Sequence, residues 1–492
     1  MARPDDELRL PVKWEPCSNG EYDPPPMSPL VREAVRRAHE DAERTARRLG
    51  WSLRRFLGSL CGAAASLVAL DACSRESSRE QGDGEPGGSF DLPPESTTEP
   101  EAAADALAGD EFVMDVQGHL LEYDLDPATL DEPGLWRAFP QAACGEEDPR
   151  ACYQIETFME EIFLRSDTSL VVLSAIPFVG EAGDASGNPL SIEVMEQTRR
   201  VALALCEDER VLLHGQANPN VGPAAAALDV MGVLHAEHPI AAWKTYTHVP
   251  RARGWFLDDH DRSALQVGES FVRRAVDLGR PIICVHKGFS GGDPFASPVD
   301  IGPAAVAHPD ATFVVYHSGY EADGTEGPYG GAAGAQGVDR LVATLEASGV
   351  GAGANVYAEL GSTWRSVMAS PDQAAHLLGK LLVAVGEDNI LWGTDSIWYG
   401  SPQDQIQAFR AFRISDEYQE RFGYPALTDE VKAKVLGTNA ARLYGVDPPG
   451  VPCPFTREEL QAAREAVPAA FRTYGPATTA DLRRHRAEHG EW

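Results

Sequence analysis

Apolar residues along this chain gather into short runs bounded by turn formers. Eight of the runs have the β-branched and aromatic character of strands: Phe112–His119, Ser169–Pro177, Val211–Ala217, Ile240–Thr247, Pro281–His286, Thr312–His317, Asn355–Leu360 and Ile390–Asp395. Between them, Ser191–Glu207, Leu265–Leu278, Val338–Ala347 and Pro371–Val385 repeat apolar positions at helical spacing. Strands alternating with helices make parallel βα units, and eight such strands close most economically into an α/β fold, the (β/α)8 TIM barrel. An open doubly wound sheet shares the alternation, but the glycine-rich phosphate loop of a nucleotide fold does not follow the first strand.

The ends of the runs carry reactive side chains: His119, His214, Lys244, His286, His317 and Asp395. Strand ends bring residues distant in sequence onto one rim of a barrel, where barrel active sites sit. Imidazoles and a carboxylate gathered there predict a metal centre. Alternation along the first strand turns Gln117 and His119 to the same side, with Asp115 below them.

The chain outside the barrel has another character. Residues 1–73 hold a polar, proline-punctuated start, a basic amphipathic stretch, then Arg54-Arg55-Phe56-Leu57 and an apolar run to Leu70-Asp71-Ala72-Cys73. These features resemble a twin-arginine export signal with a lipobox, which predicts an exported protein, periplasmic or anchored to the cell surface by lipid at Cys73; a cytoplasmic protein with an amphipathic N-terminal helix packed on the barrel is the alternative. The apolar run is shorter than the roughly 20 residues of a spanning helix. Residues 74–110 are acidic and poor in large apolar side chains, and are expected as a disordered linker. The barrel takes 111–446, and 447–492 form a C-terminal extension. A formal net charge of −33 argues against nucleic-acid or anionic-membrane partners. Of the eight cysteines, Cys144 and Cys152 are spaced for a local disulfide.

Four motifs add a resemblance. Met114-Asp115-Val116-Gln117-Gly118-His119, Cys284-Val285-His286-Lys287-Gly288, Val315-Tyr316-His317-Ser318-Gly319 and Leu391-Trp392-Gly393-Thr394-Asp395 occur in the order seen in the amidohydrolase superfamily. More narrowly, the chain resembles its amidohydrolase-related group, which includes aminocarboxymuconate semialdehyde decarboxylase and resorcylate-type decarboxylases. The resemblance spans about Phe112 to Val446 and implies a metal-dependent hydrolase or non-oxidative decarboxylase of a small organic acid, ester, lactone or amide. It assigns one divalent metal, usually zinc, to Gln117, His119, His286 and Asp395. Where that family's first strand usually ends His-x-His, this chain has Gln117, a neutral and weaker donor that lowers zinc affinity or favours a harder ion such as Mn²⁺.

The same resemblance gives His317 the role of activating water or moving a proton. Lys244 binds an anionic substrate group or, as in binuclear relatives, bridges two metals when carboxylated; one metal is the preferred reading. A pairing of Lys244 with Glu359 or Asp115 is the structural alternative. Glu359 is a candidate acid or base, equally a member of an ion pair. Asn218, Tyr246, Trp364, Arg365 and Trp398 follow strand ends and are candidate substrate contacts. Related barrels often form homodimers. The competing readings are a catalytically inactive barrel that serves as a binding or cell-surface protein and, well behind it, a nucleotide-dependent oxidoreductase.

Overall fold

A computed structural model describes residues 9–82, 84–121, 152–176, 190–220, 222–248, 253–260, 266–449 and 452–466. Eight parallel strands follow in sequence order around one sheet: β1 Val113–Gly118, β2 Thr168–Leu173, β3 Val211–Gln216, β4 Ile240–Tyr246, β5 Ile282–His286, β6 Thr312–Tyr316, β7 Val356–Glu359 and β8 Ile390–Leu391. Hydrogen bonds between the first and last strand regions close it. The amides of Val116, His119 and Asp395 donate to the carbonyls of Trp392, Ser396 and Gln117. This is the expected (β/α)8 barrel, with strand ends within a few residues of those read from the sequence.

Burial on both faces of the sheet explains why the strands read as short apolar runs rather than clean alternations. Met114, Val116, Leu170, Val172, Ala242, Cys284, Val314, Tyr316 and Leu391, mostly alternate positions of successive strands, pack together, with Leu443 and Tyr444 against them. Val171, Leu213, Trp243, Ile283, Phe313, Val356 and Ile390 belong to the larger cluster shared with the helices. The eighth strand is shorter than expected. The Trp392 amide leaves the ladder to bond the Val435 carbonyl, and Asp395 takes a left-handed φ of 59°.

The extension before the barrel is folded onto it. Helix α1, Pro29–Leu49, starts on a Ser28 cap with proline in its first turn and stops at Gly50, whose φ of 68° only glycine adopts without strain. Its buried stripe of Val31, Ala34, Ala38, Ala42 and Ala46 follows helical periodicity and packs on helix α2, Leu60–Gln81. Small residues on both surfaces let the two backbones approach closely. The apolar run of the expected export signal thus lies within α2, where Cys73 is 5% exposed. Among the described residues no helix is long and apolar enough to cross a membrane.

The acidic stretch 74–110 is not the disordered linker expected. It completes α2, forms a strand Gly88–Phe90 paired antiparallel with Phe412–Ile414, and ends in a helix, Pro100–Leu107, that buries Ala103 and Leu107. The composition rule fails because few large apolar anchors suffice when the barrel supplies the other wall. Phe90, for one, packs edge-on against Phe412. The C-terminal extension is tied down by a disulfide between Cys206 and Cys453 and by the helix Arg457–Ala466. Cys152 is disulfide-bonded; Cys144, its expected partner, lies outside the described residues.

Candidate metal centre

The rim at the C-terminal ends of the strands collects His119, His286, His317, Gln117, Asp395 and Glu359, all nearly or fully buried. Backbone strain concentrates in the same place. Phe289, His317, Ser318, Ser362 and Asp395 all have left-handed φ, five of the seven such non-glycine residues described. Strain of about 1–3 kcal/mol at each is maintained only where the surroundings over-determine the geometry, as at functional sites. Gly361 and Gly393 allow this packing, since a β-carbon at either would collide with the Glu359 carboxylate.

Two of the imidazoles are oriented by backbone carbonyls. His119 Nδ1 lies 2.5 Å from the Ser174 carbonyl and His317 Nδ1 2.6 Å from that of Gly361. With the proton held at Nδ1, each ring turns the lone pair of Nε2 toward the rim, the arrangement that outer partners impose on metal-binding histidines. His119 Nε2 then faces Asp395 Oδ1 at 3.0 Å, two acceptors that share the Gln117 amide nitrogen, 3.4 Å from the first and 2.9 Å from the second, unless the ring is doubly protonated or a cation is shared. His317 Nε2 and both nitrogens of His286 are buried without a hydrogen-bond partner. Burial, followed by its His286 neighbour, pushes the His317 pKa down to about 4, so the ring is neutral at physiological pH. Burial also lowers that of His286.

Asp395 is the most heavily bonded carboxylate here. Gln117 Nε2 donates to Oδ1 at 2.9 Å, while Asn19 Nδ2 and Ser362 Oγ donate to Oδ2 at 2.9 and 2.5 Å. Burial alone would raise its pKa, but these bonds and the imidazoles outweigh it and hold the group ionised. Gln117 thus points its amide nitrogen, not its oxygen, into the centre.

The other candidates divide. Glu359 accepts the amides of His317 at 3.0 Å and Gly361 at 2.5 Å, and burial pushes its carboxyl up to about 8. It shapes the loop that presents His317. Lys244 is fully buried and its amine has no hydrogen-bond partner; it lies 3.5 Å from the centre of the Tyr316 ring, and burial lowers its pKa to about 8. The expected pairing with Glu359 or Asp115 is therefore not made, and Asp115 instead accepts from Thr394. Tyr246 stacks on His286 with centroids 5.1 Å apart and donates to the Ala175 carbonyl.

Three expected substrate contacts have structural partners. Trp364 is wedged against Phe409 and Phe412, with its indole N–H on the Gln405 carbonyl, because the loop after β7 turns at once into a helix that buries it. Asn218 accepts the Tyr246 amide and so braces β4. Trp398 is buried flat against His119, centroids 5.6 Å apart, fixing that ring. Arg365 donates to the Glu15 carbonyl, yet its Nε has no partner and the residue lines a cleft of about 340 Å³ with Cys17, Tyr22 and Tyr320. His214 is held between Ser174 and Tyr444, a packing role.

Sequence reasoning missed the segment before α1. Residues 9–28 run across the rim as a strap, and the Lys13 ammonium fastens it to the carbonyls of Tyr399 and Ser401. It inserts Asn19, Glu21 and Tyr22. Tyr22 stacks on Phe289 at 4.9 Å, and Glu21 Oε1 reaches His286 Nε2 at 2.7 Å. Glu21, His286 and His317 present donor atoms within 4.8 Å of one another, a group able to hold a metal ion. A run without periodicity and distant from every strand gave no signal of this.

The amidohydrolase family model matches residues 175–446, more than half of the 492. The chain belongs to the amidohydrolase family. The matched region includes His286, His317 and Asp395 but not the strap or β1. Solved structures similar to this amidohydrolase include manganese-bound 5-carboxyvanillate decarboxylase from Novosphingobium aromaticivorans, 13% identical with a TM-score of 0.41, the match covering 68% of this chain and 98% of that one. An uncharacterised TIM-barrel protein from Bordetella bronchiseptica is 14% identical with a TM-score of 0.43 over the same shares. The 5-carboxyvanillate decarboxylase of Sphingomonas paucimobilis is 15% identical with a TM-score of 0.38, covering 69% of this chain and 100% of that one. No curated protein matches.

Proposed function

We propose that this amidohydrolase is a metal-dependent hydrolase or non-oxidative decarboxylase of a small organic acid, ester, lactone or amide. The observation that carries the reading is the set of buried nitrogen lone pairs without hydrogen-bond partners, with His119 and Asp395 facing each other as acceptors. Buried polar groups left without partners cost about 1–3 kcal/mol each, so a bare centre of this kind is unfavourable. A divalent cation held by His119, His286 and Asp395 would satisfy the nitrogens of His119 and His286, and neutral imidazoles with a carboxylate suit zinc, with manganese the alternative. The ion would supply Lewis-acid polarisation of a substrate oxygen or a more acidic water.

The protein's own residues do the rest. His317, neutral and with Nε2 open, moves the proton. Gln117 and Ser362 hold Asp395 in place. Lys244 and Arg365 offer positive charge to an anionic substrate, Arg365 from the cleft wall. The export inferred from the paired arginines draws support from the Cys206–Cys453 disulfide, since disulfides persist in oxidising compartments.

Elemental analysis of the purified full chain, followed by assays of CO2 release and ester or lactone opening, tests the reading. About one equivalent of zinc or manganese with turnover is expected. Two equivalents, dependent on bicarbonate, would instead favour a carboxylated Lys244 bridging two ions. No metal under any loading condition would leave the barrel as a binding protein.

Lys244 gives a prediction on stability. Its folded pKa of about 8 lies below the ordinary 10.5, so between these values the unfolded chain binds more protons and stability rises with pH. The shift corresponds to on the order of 3 kcal/mol. Lys244→Met is expected to be more stable than wild type at pH 7 and to lack the extra rise toward pH 10.5. Urea unfolding of both proteins at several pH values checks this, with a raised KM for an anionic substrate as the functional counterpart.

A further inference from the structure

We propose that Glu21, carried by a strap from outside the barrel, is a ligand of the active-site metal and supplies a donor in place of the weak one that β1 offers at Gln117. The proposal rests on the metalloenzyme reading above. Glu21 Oε1 and His286 Nε2 are 2.7 Å apart, yet the nitrogen is not in hydrogen-bonding geometry with any partner. Donor atoms of one metal with bonds of about 2.1 Å lie about 3 Å from each other, so the spacing is that of two ligands sharing an ion.

Charge points the same way. Glu21 on His286 and Asp395 on His119 bring two carboxyl groups to the centre, and neither makes an ion pair with a described lysine or arginine. Asn19 links the two, donating to Glu21 Oε2 at 2.6 Å and to Asp395 Oδ2 at 2.9 Å. Carboxylate oxygens set beside imidazole nitrogens form a donor set that suits a divalent cation. Gln117 turns its amide nitrogen inward and so offers no donor oxygen to the ion.

The strap is built to hold this carboxylate in place. Its turn is closed by Ser18, whose hydroxyl donates to the Tyr22 carbonyl and accepts the Gly20 amide. The Asn19 side chain accepts the Glu21 amide. Gly20 has a φ of 90°, which keeps the turn free of side-chain strain. The Tyr22 stack on Phe289 and the Arg365 bond to Glu15 anchor the two sides.

The test measures Mn²⁺ and Zn²⁺ affinity by chelator competition, and the Mn²⁺ EPR signal, in full-length wild type, Glu21→Gln, Glu21→Ala, His286→Ala and a neighbouring control, Asp23→Asn. Glu21→Gln, nearly isosteric and checked for unchanged folding by circular dichroism, is expected to weaken both ions at least about 10-fold, the lower bound for disturbing a metal's surroundings. It should also alter the EPR signal, while Asp23→Asn matches wild type. Metal should protect the strap from proteolysis in wild type and Asp23→Asn but not in the Glu21 variants. If Glu21→Gln and Glu21→Ala bind both ions as wild type does while His286→Ala does not, Glu21 is no ligand. Faster turnover of Glu21→Ala at unchanged metal content would show a plug instead, and overturn the proposal. If wild type binds no metal, the metalloenzyme reading fails first.

Discussion

The His286→Ala, Asp395→Ala double variant is expected to purify without the roughly one equivalent of metal carried by wild type and to show no measurable turnover. Either change alone removes more than an outer-shell partner, whose loss typically costs 10–100-fold in metal affinity or activity. Together they take away an imidazole with both nitrogens unbonded and the carboxylate on which Gln117, Asn19 and Ser362 converge. Folding should survive, because these side chains sit on the rim while the strands are held by cores on both faces. Elemental analysis beside a thermal melt separates the two effects. Full metal content in a folded double variant would place the ion elsewhere.

His317→Asn should behave differently. It is expected to keep the metal and its KM while kcat falls about 10²–10⁴-fold, the usual worth of a positioned acid or base. The basis is that His317 has its Nδ1 bonded to a carbonyl and its Nε2 free, so it is oriented for proton transfer. Asparagine retains a donor for the Gly361 carbonyl and leaves no group that titrates. Loss of metal in this variant would instead assign His317 to the ligand set with Glu21 and His286, the grouping their 4.8 Å spacing also allows.

The barrel is readable because its strands are mostly buried on both faces, so each announces itself as a short, largely apolar run, and the run's end marks the rim. His119, His286, His317 and Asp395 were found in that way, as terminal residues of strands. Residues whose side chains face away from the rim were indistinguishable from those that face it: Trp364 and Asn218 follow strand ends as His317 does, yet a helix turn and a backbone bond claim them. The error over 74–110 has a related cause. Composition judges whether a segment can bury enough apolar area by itself, whereas Phe90 and Leu107 need only complete a surface that the barrel already presents. Glu21 was out of reach because its meaning comes from a contact with no local pattern.

Export as read from residues 1–73 and the folded strap have one point of tension. Removal of the chain before Cys73 would take away Asn19, Glu21 and α1, whereas transport with the segment retained would not. The intact mass of protein recovered from its native compartment distinguishes them, with the retained form expected.

Asn19 and Asp395 are 376 positions apart, so the strap must wait for the eighth strand before the centre exists. Contacts of such separation are slow to form. A polypeptide cut short before the eighth strand therefore has imidazoles but no Asp395, and the proposed cage cannot assemble in it.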